Sequence, residues 1–239
     1  TGATTVFNST TGVLDFNGYV STTQLTLWTI GTGTTFNPST GTVRFSSAAS
    51  WATTPIYIID APNLFQLNNV ILHQFANYNS NTVGYSPFSG RSIVVNGNLT
   101  HGASLNTGFG MSRLDGLWQL KGNFTIGTDA VGGSGSLTLS VTGAQVITTD
   151  ATAYTGDLII NKASGAVTMN AGSNTLRVRA FYLDQGTFTA PSTLLECYAY
   201  NGANNSTVFR ITAGTTFNLN SGTVKISTNT NWSTNNTYL

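Results

Sequence analysis

The sequence predicts an all-β chain wound as a parallel β-helix or related β-solenoid. Three observations point there: a charge-poor composition rich in Thr, Asn and Gly, short segments of alternating polarity, and degenerate internal repeats. Hydrophobic residues make up 40% of the 239 residues, enough to bury a core, whereas charged residues make up only 7%. Ordinary soluble domains carry about 25% charge, so here hydroxyls and amides must coat the surface. Thr favours the pleated state, and Asn and Gly accept the positive φ of tight turns. All three rank low in helix propensity.

The repeats come next, because a fixed period outranks local preference in deciding architecture. Gly33-Thr34-Thr35-Phe36-Asn37 returns as Gly214-Thr215-Thr216-Phe217-Asn218, and Gly41-Thr42-Val43 returns as Gly222-Thr223-Val224. Without a gap, 12 of the 25 positions from 33 to 57 equal those from 214 to 238, including Trp51 with Trp232 and Tyr57 with Tyr238. Composition bias could match Thr with Thr, but not Phe, Trp and Tyr in one register. Fainter copies lie near 2–16 and 126–140. Phe36, Val43, Trp51, Phe217, Val224 and Trp232 are therefore expected to pack the repeats.

Within the copies, Val43 and Phe45 alternate with Thr42, Arg44 and Ser46, as do Leu137 and Leu139, and Val224 and Ile226, with their neighbours. Period two with one apolar face marks a half-buried strand. Gly and Asn punctuate the strands at short intervals. Repetition along the whole chain without helical segments predicts one continuous solenoid over 1–239, with coils of roughly 25 residues rising ~4.8 Å each. Tandem β-sandwich modules of about 90 residues are the alternative.

Charge and cysteine exclude several function classes. The net charge is +1 and the nine Lys and Arg are scattered singly, so no nucleic-acid partner is expected. No apolar run approaches the ~20 residues of a membrane-spanning helix, and no membrane insertion is expected. The single Cys197 rules out an intrachain disulfide and reads as a buried apolar residue.

The order Gly41 to Phe45, Phe65 to Leu72 and Val95 to Thr100 resembles large repetitive bacterial surface and secreted proteins. These are the filamentous-haemagglutinin-like and autotransporter-passenger-like adhesins and Bacteroidetes-type exoprotein repeats. The resemblance implies a β-helix displayed outside the cell or on its surface, in adhesion or scaffolding. It carries no catalytic residue across.

No catalytic, cofactor-binding or metal-ligating residue is expected, and the chain is not expected to be an enzyme. Of the eight acidic residues, Asp150 and Asp157 are nearest in a useful sense, but Asp at turns ordinarily bonds local backbone. His73 and His101, the only histidines, lack a nucleophile elbow and read as structural. Val131-Gly132-Gly133-Ser134-Gly135-Ser136-Leu137 is similar to a calcium-binding β-roll nonapeptide, yet Ser136 stands where Asp is required, and the reading is a turn. Asn-x-Ser/Thr sequons at Asn8, Asn98, Asn123, Asn204, Asn205, Asn231 and Asn235 occur at the frequency that composition alone produces.

A segment at 77–91 interrupts the strand rhythm and reads as a side loop, with Tyr78, Tyr85 and Phe88 as contacts for a ligand or partner. The first residues already belong to a repeat and Leu239 falls partway through another, so the solenoid ends are expected to self-associate, in a longer array or an end-to-end filament. The expected function is an extracellular structural or adhesive repeat protein, with a glycan or host-surface ligand. The alternative is a carbohydrate-binding or polysaccharide-cleaving β-helix, including a phage fibre.

Overall fold

Alternation sends every second side chain inward, and stacking multiplies that choice into columns. The computed structural model describes residues 6–8, 11–18, 24–31, 33–37, 39–47, 56–74, 82–103, 111–199 and 207–228. The chain is an all-β solenoid whose strands form three stacks, visited in the order I, II, III along each coil. Stack I contains Gln24–Thr29, Ile56–Asp60, Thr82–Pro87 and Met111–Leu114. It continues through the leading residues of Val131–Leu139 and Tyr154–Met169 to Thr175–Val178, Leu194–Ala199 and Thr223–Thr228. Stack II runs from Phe65–Leu67 through Ser92–Val95, Leu117–Leu120 and residues 136–139, 157–160 and 181–183 to Phe209–Ile211. Stack III runs from Val13–Gly18 through Thr42–Ser47, Asn69–Gln74, Leu99–His101, Phe124–Ile126 and Gln145–Thr149, then past residues 166–169 and 187–189 to Thr216–Asn218.

Every strand pairing among the described residues is parallel. The sandwich alternative requires antiparallel hairpins and is thereby ruled out. The coil length is not constant. Paired residues lie 29 positions apart at Leu14–Val43, 25 at Leu99–Phe124, 23 at Phe124–Ile147 and 29 again at Phe188–Phe217.

The interior is built of columns. In stack II, Phe65, Ile93, Trp118, Leu137, Leu158, Phe181 and Phe209 lie one above another, and Leu67, Val95, Leu120, Leu139, Ile160, Leu183 and Ile211 form a second column. Burying each such side chain contributes about 1.5–3 kcal/mol. Cys197 stands in a column of stack I between Val178 and Ile226. It is fully buried, and burial pushes its thiol up to about 12.

Polar groups hold the corners. Between stacks II and III, the side-chain oxygens of Asn69, Asn98 and Asn123 accept the backbone N–H of Asn98, Asn123 and Val146, each at 2.9 Å. Each asparagine thus satisfies a donor of the next coil that the turn leaves outside the ladder. Further along, buried Lys162 donates to the Val141 carbonyl and to Gln145 Oε1, both at 2.6 Å. Gln145 in turn donates to the Leu120 and Gly122 carbonyls. Burial lowers the Lys162 pKa.

The sequence repeats do not map onto equivalent columns, which corrects the simplest expectation from them. Phe36 packs 5.5 Å from Phe65, in line with stack II, and Val43 lies in stack III. Their sequence counterparts sit one face further round: Phe217 pairs with Phe188 in stack III, and Val224 with Leu195 in stack I. The motif specifies strand, corner, strand, and any corner of the solenoid can use it. Phe36 and Val43 are buried, whereas Phe217 and Val224 are half-buried against the core. Trp51 and Trp232 lie outside the described residues.

Candidate functional site

A surface trough appears on a solenoid wherever outward columns lose their side chains. On stack I one outward column includes Ile56, Gly84 and Arg113, and another holds Ile58 and Ser86. The glycine-rich run Gly132-Gly133-Ser134-Gly135 turns the corner beside them. Together they leave two adjoining hollows of about 520 and 400 Å³ that share Ile56, Asp115 and Ser134. The first carries Phe88 and Arg91, and the second Arg113, Tyr154, Arg179 and Tyr198.

Asp115 is the centre of this trough. Its residue exposure is 4%, and it forms part of the wall between both hollows. The backbone N–H and hydroxyl of Ser134 donate to Oδ1 at 2.6 and 2.7 Å. Arg113 Nη2 lies 3.3 Å from Oδ2, but neither Oδ2 nor Arg113 Nε makes a hydrogen bond. A buried carboxylate oxygen without a donor is costly. The corner glycines are required by approach: a Cβ on Gly133, whose φ is +130°, would strike the Leu114 backbone, and one on Gly132 would come within 2.6 Å of the Tyr154 ring.

Gly84 makes room for the carboxylate itself, since a Cβ there would collide with Asp115 Oδ2 and lie 2.9 Å from Arg113 Nη2. Gly84→Ala is therefore expected to cost about 1–3 kcal/mol as an overpacked site. Gly12→Ala, where a Cβ meets nothing within 4 Å, should be nearly neutral. Denaturant unfolding of the two variants checks this; equal midpoints would refute the close-packed account of Asp115.

Asp157 lies beside the trough. Arg179 grips it with Nε at 2.6 Å and Nη2 at 2.5 Å, and this bond, together with the opposite charge, raises the arginine pKa against the opposing effect of burial. Asp150, weighed with Asp157 as an acid pair, instead accepts the backbone N–H and hydroxyl of Thr152, which hold its pKa below the usual range. Among the described residues no three His, Cys, Asp or Glu side chains gather as a metal site. The Gly-rich nonapeptide likeness, expected as a turn, lies within the strand Val131–Leu139, at the register shift between Gly132 and Ser136.

The residues singled out in 77–91 divide. Tyr78 lies outside the described residues. Residues 82–87, expected in a side loop, form a strand paired on both sides. Tyr85 accordingly points inward: it is fully buried, stacks on Tyr57 at 5.8 Å and donates its hydroxyl to the His73 carbonyl. Its side chain is not available to a ligand, because period-two alternation places it in the core column. Phe88 is 44% exposed on the trough rim, with the Arg91 guanidinium 4.8 Å from its ring centre.

Tyr154, Tyr198, Arg113 and Arg179 were not singled out by sequence. Tyr154 and Tyr198 are 44 positions apart in the chain, yet their ring centres are 5.9 Å apart. Only the stacking register brings them together, and no local motif announces it.

No family model, curated protein or solved structure matches the chain. Function must therefore be argued from the trough, the columns and the distribution of charge.

Proposed function

We propose that the chain is a non-catalytic structural and adhesive segment of an extracellular rod. One observation carries the reading: all eight carboxylates are engaged in local or coil-to-coil contacts. Asp15 pairs with Arg44, Asp60 with Arg91, Asp115 with Arg113, Asp157 with Arg179, Asp184 with Arg210, and Glu196 with both Arg177 and Lys225. Asp129 and Asp150 bond Thr128 and Thr152. Arg177, Glu196 and Lys225 are direct partners in successive strands. At Glu196, burial raises the pKa but the hydrogen bonds from Lys225 and Ser227 outweigh it, so the carboxyl stays ionised below its usual range.

Acid–base catalysis on polysaccharides needs two carboxylates free to exchange protons at a scissile bond. Here five of the eight acids instead tie one coil to another by ion pairs, and Asp115, Asp129 and Asp150 bond neighbours in the chain. Exposed pairs of this kind contribute only about 0–1 kcal/mol each, so their effect is chiefly to set register. At one extreme of the described solenoid Ile211, which continues the inward column of Leu183, is exposed, and this supports covering of that face by further solenoid or by another copy. The low charge and hydroxyl-rich coat support display outside the cell.

The expected result is concentration-dependent end-to-end association, seen by sedimentation and by electron microscopy as rods of one width. A monomer at every attainable concentration would refute assembly through the ends. Release of reducing ends from a polysaccharide panel would refute the non-catalytic reading in favour of a cleaving β-helix.

A further inference from the structure

We infer that the trough on stack I is a binding site for a neutral polysaccharide strand, lying along the rod axis across successive coils. The inference deepens the adhesive reading by naming the ligand class, and rests on that reading only for its biological setting.

The dimensions come first. Aligned strands carry the trough from the strand of Thr82 and Ser86 past Arg113, Val131 and Tyr154 and the strand Thr175–Val178 to that of Tyr198. At ~4.8 Å between strands, this is about 24 Å, room for several sugar rings. Partly exposed aromatic rings stand at both ends: Phe88 at 44% exposure, with Arg91 over one face, and the Tyr154–Tyr198 pair at 38% and 37%, their planes tilted by 44°. A pyranose presents a face of C–H groups that such rings cover, while its hydroxyls need donors and acceptors at the edges.

Edge groups are present. The side chains of Arg91, Arg113 and Arg179 are 39%, 26% and 27% exposed and line the trough, so their outer N–H groups can donate to sugar hydroxyls. The hydroxyls of Thr82 and Ser89 on the same lining can accept or donate. Asp115 Oδ2 and Arg113 Nε are sealed from solvent and take no part in the contact.

Charge selects among glycans. Arg91, Arg113 and Arg179 are each paired with a carboxylate, Asp60, Asp115 and Asp157. These three cations are neutralised one for one, and at the tyrosine end Arg177 and Lys225 share the single Glu196; a surplus of one charge is not the clustered positive field that uronate or sulfated polymers or nucleic acid require. An extended peptide would add to an open strand edge, but Thr82–Pro87 in the trough floor is already paired on both sides.

The test is affinity electrophoresis of the whole chain in native gels containing one soluble polymer each: a β-glucan, an α-glucan, a mannan, a xylan or polygalacturonate. At least one neutral polymer should retard the protein and polygalacturonate should not. Tyr154→Ala with Tyr198→Ala should weaken that retardation by about tenfold or more, the loss of two ring platforms. Tyr154→Phe with Tyr198→Phe, which keeps the rings, should retain it. Phe88→Ala, at the other end and remote from the Glu196 network, should weaken it independently should the tyrosine variants fail to fold. No retardation by any neutral polymer, stronger retardation by polygalacturonate, or indifference to both Phe88→Ala and the folded tyrosine variant would overturn the site. End-to-end association would be untouched by any of these outcomes, so the rod reading stands or falls separately.

Discussion

Trp118→Ala is expected to cost about 3–5 kcal/mol, the largest loss of any single truncation among the described residues. Trp118 is 1% exposed, lies between Ile93 and Leu137 in the stack II column, and donates its indole N–H to the Asp115 carbonyl at 2.8 Å. Three losses combine: the buried ring area, the cavity that rigid neighbouring coils cannot close, and a carbonyl left without its donor. Trp118→Phe keeps much of the volume and should cost less. Because the column continues through both neighbours, the cavity weakens the interface on each side. In a solenoid such interface terms set cooperativity. Denaturant unfolding should therefore show a lower midpoint and a broader transition, or two transitions if the coils on either side uncouple. A loss under about 1 kcal/mol would mean the column tolerates a gap and that the packing account is wrong.

The second large effect is a loss of stability on mild acidification. His101 is fully buried, and desolvation lowers its pKa to about 4, against the opposing effect of its bond to Ser112. Its partners fix the tautomer: the Ser112 carbonyl, 2.8 Å from Nε2, can only accept, so Nε2 carries the proton and Nδ1 accepts from the Thr155 hydroxyl at 3.2 Å. The neutral ring is satisfied, whereas the charged ring would hold its charge in a desolvated interior. In the unfolded chain the ring titrates near 6.5. Between 6.5 and about 4 the unfolded state therefore binds more protons, and stability must fall as pH falls. The gap corresponds to on the order of 3 kcal/mol, fully lost by about pH 4. Melting temperature measured from pH 7.5 to 4 should decline through this window. His101→Gln should flatten the decline, even if it lowers stability at every pH. The same slope in the variant would show that His101 is not its source. Below about pH 4 a further loss follows from Asp15, Asp150 and Glu196, whose folded values are depressed.

Both effects arise from residues whose importance the sequence conceals. Trp118 is one of four tryptophans, and His101 precedes Gly102 as if in a turn, whereas it closes a strand with its ring among interior groups. Register explains why. The interior position of His101 depends on its partner Ile126 in the next coil, and the coil between them is not marked by any constant period.

What the residues alone determine is the class of the fold. A chain with 7% charge, alternating apolar segments and Gly- and Asn-rich corners can bury its apolar faces only by stacking strand on strand. The recurrence of Gly-Thr-Val with flanking Phe shows that one unit is reused, and the buried fate of Val43 and Cys197 follows from alternation and side-chain type. Tertiary structure decided which columns those units join. The spacing of paired residues varies from 19 positions at Trp118–Leu137 to 32 at Gln24–Ile56, so equal sequence spacing does not mean equal position, and Val43 and Val224 fall on different faces. It also decided that Tyr85 is interior while Tyr154 and Tyr198 form a surface pair. Side-chain alternation has period two and acts within a strand. The meeting of residues from different coils is set by the summed length of every corner between them, a quantity no local pattern encodes.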